Sequence, residues 1–222
     1  MKKEKPANRA LPSPPSPPVP PGSREELLAN EWLARGAEEE TKGNPSRAVI
    51  YYRKAAGAGL KEAQYLLGLC YYWGRGVEPD EEQAVAWWHE AAARGDVAAQ
   101  SRLGFCYYNG DGVPENDEQA TRWWREAAAR GDVAAQLQLG FCYYNGRGVP
   151  KDDELSVYWF REAATRGCGA ARLQLGLHYF SGEGVEKELN MAIYWLEKAI
   201  ESGELDDISR SLAHEKIKQA KE

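Results

Sequence analysis

The sequence repeats itself every 36 residues. The segments LGFCYYNGDGVP at 103–114 and LGFCYYNGRGVP at 139–150 differ only at Asp111 and Arg147. The same interval separates three sets of residues: Gly68, Gly104, Gly140 and Gly176; Tyr71, Tyr107, Tyr143 and Tyr179; Trp87, Trp123, Trp159 and Trp195. A period of roughly 20 to 50 residues, held over several copies, predicts a stack of similar units in which each unit contacts only its neighbours. We therefore expect one elongated domain.

Each copy predicts two helices. In AAQSRLGFCYYNG at 98–110 the apolar residues recur three and four positions apart, as one helix face requires, and Asp96 precedes them as an N-cap. The GDG that follows ends the helix, because glycine adopts the left-handed conformation without a steric penalty. Asn116 and Gln119 resemble a capping pair, and they open a second helix that ends at Gly131. A unit is therefore predicted to be a pair of antiparallel helices.

Small and large residues alternate between the two predicted helices. Ala99 and Gly104 on the first helix, with Ala120 and Ala127 on the second, allow the helix axes to approach closely. The four tryptophans that recur every 36 residues are expected to fill the space between the layers. Burial of a large aromatic side chain contributes about 3 kcal/mol at most, so these rings are predicted to dominate the stability of the stack.

The pattern AxxxLGxxYxxGxGVxxD, followed by AxxWxxxAAxxG, resembles the Sel1-like repeat, a relative of the tetratricopeptide repeat. Four segments carry it: 60–95, 96–131, 132–167 and 168–203. The departures are mild, since Ser156 stands where other units have alanine and the fourth loop reads GEGVEKE. The resemblance implies an all-α fold, a right-handed α-solenoid superhelix of antiparallel helix pairs.

The flanking segments are less regular. Residues 24–59 look like a plain tetratricopeptide helix pair with a shorter turn, because they lack the GxG loop. Residues 204–222 are predicted to form a capping helix, with a flexible tail as the alternative. Residues 1–23 are proline- and serine-rich and are predicted to be an extended, disordered leader. Within it, Arg9, Pro12 and Pro15 fit a ligand for an SH3-type groove, and a simple spacer is the other interpretation.

The resemblance also implies a function. Sel1-like proteins act as adaptors that bind proteins, and the first helix of each pair lines the concave surface. Carried over to this chain, the candidate partner-binding residues are Tyr65, Leu69, Tyr72, Trp73, Ser101, Phe105, Tyr108, Asn109, Leu137, Phe141, Tyr144, Asn145, Leu173, Leu177 and Phe180. A contiguous apolar surface of this kind usually marks a binding site. The alternative is that tight curvature buries these side chains against neighbouring units.

Asn109 and Asn145 occupy equivalent positions and have two interpretations of their own. They are candidates to hold the backbone of a bound peptide, or residues favoured by the turn chemistry at a helix end.

Cysteines can form disulfide bonds or bind zinc, but the spacing of three of the cysteines here argues against both roles. Cys70, Cys106 and Cys142 are equivalent residues of successive units, so stacking separates them by roughly 10 Å, one helix layer. A disulfide needs Cα atoms within about 7 Å, and one zinc ion needs its ligands to converge. We expect buried, reduced thiols here, and an exposed one at Cys168. No cofactor or metal is expected.

Composition narrows the partner class. The net charge of −6 disfavours a nucleic-acid binder, and no apolar run is long enough to span a membrane. The lead hypothesis is a non-enzymatic scaffold that binds a protein or peptide in the cytoplasm; its oligomeric state is left open. The alternatives are a secreted or periplasmic effector and a hydrolase that uses Cys168 or a β-lactam-reactive site. The chain contains no SxxK motif. His89 is expected on the surface.

Overall fold

The computed structural model describes residues 22–222, and the predicted leader lies outside them apart from its last two residues. Within this range the chain forms eleven helices and no strand. The helices are α1 (Arg24–Thr41), α2 (Pro45–Gly57), α3 (Lys61–Trp73), α4 (Glu81–Ala93), α5 (Val97–Asn109), α6 (Asp117–Ala129), α7 (Val133–Asn145), α8 (Asp153–Thr165), α9 (Gly169–Ser181), α10 (Leu189–Glu201) and α11 (Asp207–Lys221).

The helices stack in chain order. Each packs against its neighbours in sequence, and α1/α2 through α9/α10 form five pairs, which we number as units one to five. In addition α5 contacts α7, and α9 contacts α11, so the first helices of successive units lie side by side. The predicted all-α solenoid of helix pairs is confirmed.

The local signals in the sequence fold as expected. The Asp96 carboxylate accepts a hydrogen bond from the backbone N–H of Ala99, and the Asn116 side chain accepts one from Gln119. Gly110 ends α5 in the left-handed conformation, with φ of 82°. Such caps satisfy backbone groups that a helix end otherwise leaves without partners.

The second glycine of each GxG loop joins one unit to the unit before it. A Cβ atom on Gly112 would lie 2.4 Å from the carbonyl oxygen of Glu81, the first residue of α4. Gly148 and Gly184 approach Asp117 and Asp153, at the starts of α6 and α8, in the same way. Only glycine permits this contact, since any side chain would meet backbone atoms there. The GxG sequence thus ends one helix and docks the loop on the preceding unit.

The rings at the centre of the core are not those of the tryptophans that recur every 36 residues. Trp88 and Trp124 are fully buried, whereas Trp87 and Trp123, which belong to that recurring set, are half-buried. The buried ring lies against the first-helix glycine: a Cβ atom on Gly104 would lie 2.3 Å from Trp124 Nε1. Tyr52, Phe160 and Leu196 fill the same place in the other units. The expectation that Trp87, Trp123, Trp159 and Trp195 form the dominant core is therefore wrong: those rings pack on the edges of the cores of preceding units.

Equivalent hydrogen bonds cross each unit boundary. Guanidinium groups of Arg53, Arg125 and Arg161 on second helices donate to the hydroxyls of Tyr71, Tyr143 and Tyr179 on the next first helices. At the remaining boundary of this kind, His89 Nε2 lies 3.2 Å from the Tyr107 hydroxyl. Tyrosines that recur every 36 residues are therefore partners in the stacking of units.

The two ends of the stack differ from its middle. When units are aligned on Gly36 and Gly68, Glu31 and Arg35 replace the fully buried Ala63 and Leu67. Glu31 and Arg35 form an exposed ion pair at 2.6 Å, so the first unit presents a polar end. At the other end α11 buries Ala213 and Ile217 against α9 and α10, and leaves a polar outer side.

Candidate functional site

The predicted partner-binding residues lie on the first helices α3, α5, α7 and α9, which form one continuous face. We call the side of these helices that carries them the first-helix face. Their exposure is uneven. Ser101 and Leu173 are only 7 % and 5 % exposed, so these two were wrongly predicted to point outward. The Ser101 hydroxyl donates to the carboxylate of Asp132, the N-cap of the next first helix, which draws it into the boundary between units.

Most other members are half-buried by contacts within their own unit and with the next one. Tyr65, Leu69 and Tyr72 of α3 pack on a core cluster formed by α4 of their own unit and α5 of the next, and Phe105 and Tyr108 of α5 pack on the equivalent cluster of α6 and α7. Leu137, Phe141, Leu177 and Phe180 likewise pack on core clusters near the C-terminal end. For these side chains, packing within a unit and against the next unit accounts for most of the apolar character.

Two of the recurring tyrosines have partners in the next loop. The Tyr72 hydroxyl donates to the Asp111 carboxylate at 3.0 Å, and burial together with this bond raises the pKa of Tyr72 to about 12. The Tyr108 ring lies under the guanidinium of Arg147 at 3.8 Å. The residue between the two loop glycines, which is the one difference between the duplicated segments, therefore determines what each tyrosine contacts.

Four members of the face remain open to solvent. Trp73 is 60 % exposed, Tyr144 is 37 % exposed, and Asn109 and Asn145 are also exposed. The Asn145 amide donates to the carbonyl of Phe141 one turn back in its helix, and the Asn109 amide donates to Asp111. These bonds favour a local role for the two amide groups.

A pocket of about 300 Å³ opens on the first-helix face near its C-terminal end. Tyr144, Leu177 and Phe180 supply apolar walls. Polar groups complete the lining: Gln174, His178, Ser181, Glu183 and Lys216. His178 is buried, with Nδ1 2.8 Å from the carbonyl oxygen of Glu183, and its ring contacts Tyr144. An apolar anchor ringed by a few polar groups is typical of sites that accept one side chain of a partner.

Sequence reasoning missed the polar lining of this pocket. His178 stands on α9 where the three preceding units have Cys70, Cys106 and Cys142, so the 36-residue comparison singles out His178, whereas Gln174 only repeats Gln138. Lys216 comes from α11, which lies outside the repeat, and no pattern in the sequence places it there.

Three of the four thiols lie where the sequence predicted them. Cys70, Cys106 and Cys142 are free and buried, and Cys168 is free and half-buried. Burial raises the pKa of Cys106 to about 12 and that of Cys142 to about 11, so both are protonated at neutral pH. The thiolate is the reactive form, which makes these two poor nucleophiles.

Across residues 22–222 no cluster of three or more His, Cys, Asp or Glu side chains is close enough to hold a metal ion. His89 is half-buried against Tyr107 and Trp123, so its prediction as a surface residue is wrong. Burial lowers its pKa.

Among the described helices, none combines the length and the apolar character that crossing a bilayer requires.

The stacked helix pairs, the GxG loops and the first-helix face define a helical-repeat solenoid, a class of fold that commonly serves protein–protein interaction. The Sel1 repeat model matches 25–60, 61–96, 97–132, 133–168 and 169–204, and the chain belongs to the Sel1 repeat family. The first of these matches covers the helix pair that we interpreted as a plain tetratricopeptide unit.

Two solved structures show how far the likeness extends. One is c5321, a protective antigen of uropathogenic Escherichia coli with an SLR fold: it is 34 % identical, with a TM-score of 0.74, over 83 % of this chain and 38 % of that one. The other, a Sel1 repeat protein from Oxalobacter formigenes, is 34 % identical with a TM-score of 0.75, over 85 % of this chain and 55 % of that one. This chain thus spans about half or less of the length of these relatives. The comparison with curated proteins gives no match.

Proposed function

We propose that this protein is a non-enzymatic scaffold that binds a peptide or protein segment along the first-helix face. The observation that carries the proposal is the pocket beside Tyr144, Leu177 and Phe180, which opens on the face that the sequence singled out. One apolar side chain of the partner would occupy it, and Lys216 and Glu183 at the rim would orient the partner's polar groups.

A second anchor would lie at the other end of the face. Trp73 is the most exposed aromatic side chain on it, at 60 %, and its ring is held edge-on by Tyr72 at 4.8 Å between ring centres. A preorganised aromatic side chain loses little conformational entropy on binding, so such residues dominate interface energies. Trp73 belongs to the second unit and the pocket to the fourth and fifth, so a bound segment would be extended or helical over several turns.

Peptide selection on the full chain tests the proposal. A random peptide library would be selected on the wild-type protein, and the enriched peptides would be titrated onto Tyr144→Ala, Leu177→Ala and Trp73→Ala. We expect each variant to weaken binding by roughly tenfold, as loss of an interface anchor does. Tyr158→Ala is the matched control, because Tyr158 is an exposed tyrosine of the second helix α8 and should leave binding unchanged.

Circular dichroism and thermal unfolding would establish that each variant is folded. If folded Tyr144→Ala and Leu177→Ala bound the selected peptides as tightly as wild type, the assignment of the pocket would be wrong.

We place the function in the cytoplasm, as the reduced thiols buried in three successive units support. Fractionation of cells that express the native gene tests this compartment, and recovery in the periplasm or the medium would contradict it.

A further inference from the structure

Ammonium groups lie beside the aromatic walls of the pocket on the first-helix face. Lys216 Nζ is 5.2 Å and Lys187 Nζ is 5.7 Å from the centre of the Phe180 ring. Lys151 Nζ is 5.5 Å from the centre of the Tyr144 ring. A cation within about 6 Å of a ring centre is attracted by the negative charge of the ring face. The pocket therefore combines apolar walls with three cationic groups held next to them.

Two of these lysines occupy a position whose charge changes along the stack. It lies five residues after the glycine that ends each first helix, and in units two to five it holds Pro79, Glu115, Lys151 and Lys187. A Cβ atom added to that glycine would contact this residue in all four units, so the position is structurally equivalent throughout. Only the fourth and fifth units, which form the pocket, have a cation there.

The Trp73 end of the first-helix face has the opposite charge. Tyr72, which packs edge-on against Trp73, donates to the carboxylate of Asp111. Beside Tyr72 a cavity of about 530 Å³ has three acidic residues in its lining: Asp80, Glu81 and Glu82. The cation of the same loop, Arg75, is paired with Glu40 at 2.7 Å. An acidic segment of a partner would therefore be attracted at the pocket and repelled near Trp73.

Carboxylates of the chain itself neutralise the three lysines only in part. Asp153 pairs with Lys151 at 3.3 Å, and Glu215 lies 3.8 Å from Lys216. The exposed ammonium of Lys187 contacts the Phe180 ring and forms no ion pair with a carboxylate in the described part of the chain. Lys187 and, more loosely, Lys216 can therefore pair with a carboxylate that a partner supplies.

We propose that the pocket selects an apolar side chain that has aspartate or glutamate next to it in the partner. The selection rests on the proposed function, since it specifies the chemistry of the segment that binds the first-helix face. The apolar side chain would fill the space between Tyr144, Leu177 and Phe180. The neighbouring carboxylate would pair with Lys187 and Lys216.

A cationic side chain of the partner is disfavoured at the same place. The ring faces that would attract it already have ammonium groups beside them, and like charges repel. Charges at an interface determine which partner is accepted, and how fast it is encountered, more than they determine affinity. The lysines thus act on specificity, while the apolar anchor supplies most of the binding energy.

Selection from a random peptide library on the full chain tests the proposal. Both ends of each peptide are fused to a carrier, so side chains supply the only carboxylates. The informative peptides are those whose binding Leu177→Ala weakens, because they use the pocket. We expect Asp and Glu to be enriched, and Lys and Arg to be depleted, next to their apolar anchor. Selection on Lys187→Glu/Lys216→Glu should reverse this preference.

Titration of the selected peptides at low salt gives the size of the effect. The double variant Lys187→Glu/Lys216→Glu should bind them more weakly by roughly tenfold or more, since two attractive charges become repulsive. Glu183 also lines the pocket, so Glu183→Gln should bind them about two- to threefold more tightly. Lys218→Glu is the matched control: it makes the same change of charge on α11 at an exposed residue outside the pocket, and should leave binding unchanged.

Circular dichroism would establish that the variants are folded. If the double variant did not fold, Lys187→Glu alone, at an exposed loop residue, should still weaken binding by about threefold. Peptides that depend on Leu177 yet show no acidic preference, or that bind the folded lysine variants as tightly as wild type, overturn the proposal and leave the proposed function standing. If no selected peptide depends on Tyr144 or Leu177, the proposed function fails, and the charge preference fails with it.

Discussion

The guanidinium carbon of Arg147 lies 3.8 Å from the centre of the Tyr108 ring, and the same arginine pairs with Glu115 and Asp117 at 2.6 and 2.7 Å. One unit earlier, Asp111 stands in the equivalent place and accepts a hydrogen bond from Tyr72. The position equivalent to Glu115 in that earlier unit is Pro79. Arg147 thus matches the two carboxylates around it, whereas Asp111 is matched to the hydroxyl of Tyr72.

Reversing the charge at Arg147 and at Asp111 should have unequal effects on stability. Arg147→Asp places a carboxylate beside Glu115 and Asp117 and removes the contact with Tyr108, so we expect a loss of about 1 to 3 kcal/mol in the free energy of unfolding. Asp111→Arg loses the bond to Tyr72 and gains an ion pair with Glu81, so it should stay within about 0.5 kcal/mol of wild type. Urea unfolding measures both. Equal destabilisation by the two variants would contradict the explanation.

His89 is the exception among residues that bond to a tyrosine of the next unit. Because burial lowers its pKa in the folded protein, the unfolded chain binds more protons as pH falls below about 6.5, and stability is lost in that direction. Arginine is charged at every pH, as at the other three boundaries. We expect His89→Arg to stabilise the protein by about 1 kcal/mol at pH 5.5 and by less at pH 8.

Thermal unfolding of wild type and His89→Arg at the two pH values gives the difference directly. His89→Lys is the control for charge alone, because lysine lacks the planar fork that reaches the Tyr107 hydroxyl. A gain that is the same at both pH values would rule out titration of His89 as its cause.

The repeat predicted the helices and their caps well, and the core less well. Apolar spacing, Asp96 and the GxG loops are local features, so they can be read from a short stretch of sequence. The buried side chain opposite the first-helix glycine, by contrast, is Trp88, Trp124, Phe160 or Leu196 depending on the unit. A comparison that seeks identical letters selects the neighbouring tryptophan instead, although the glycine opposite marks the true position.

The exposure of residues on the first-helix face is equally hard to predict from the sequence. Periodicity places Ser101, Tyr108 and Tyr144 on one row of helices, and it cannot tell how much of each is covered by the next unit. That depends on contacts between residues about 30 to 40 positions apart, such as Ser101 with Asp132 and Tyr108 with Arg147. Lys216 lies outside the recurring pattern, since it belongs to the terminal helix α11.

The two glycines of one loop should respond differently to alanine. Gly110 and Gly112 both have positive φ, at 82° and 67°, and alanine in that conformation costs about 1 to 2 kcal/mol. A Cβ atom on Gly110 meets nothing closer than 3.6 Å, whereas one on Gly112 meets the backbone of Glu81 at 2.4 Å. We expect Gly112→Ala to cost about 2 to 5 kcal/mol, because the clash between units adds to the strain.

Gly110→Ala is the matched control for that prediction, since it carries the strain without the clash. Chemical denaturation of the two variants measures the difference. If both lost the same stability, the second glycine would be needed for its conformation alone and not for docking on the preceding unit.

The buried thiols make stability depend on alkaline pH. Cys106 and Cys142 have pKa values raised to about 12 and about 11 by burial, so the folded state keeps protons that the unfolded chain releases above about pH 8.5. The free energy of unfolding should therefore fall as pH rises, by about 1 kcal/mol for each thiol between pH 8.5 and 9.5. Urea unfolding at the two pH values tests this, with Cys106→Ala/Cys142→Ala as the comparison. The variant is expected to be less stable at both values because of lost packing, yet to show a smaller difference between them. An unchanged difference would mean that other groups, such as the tyrosines, cause the alkaline loss.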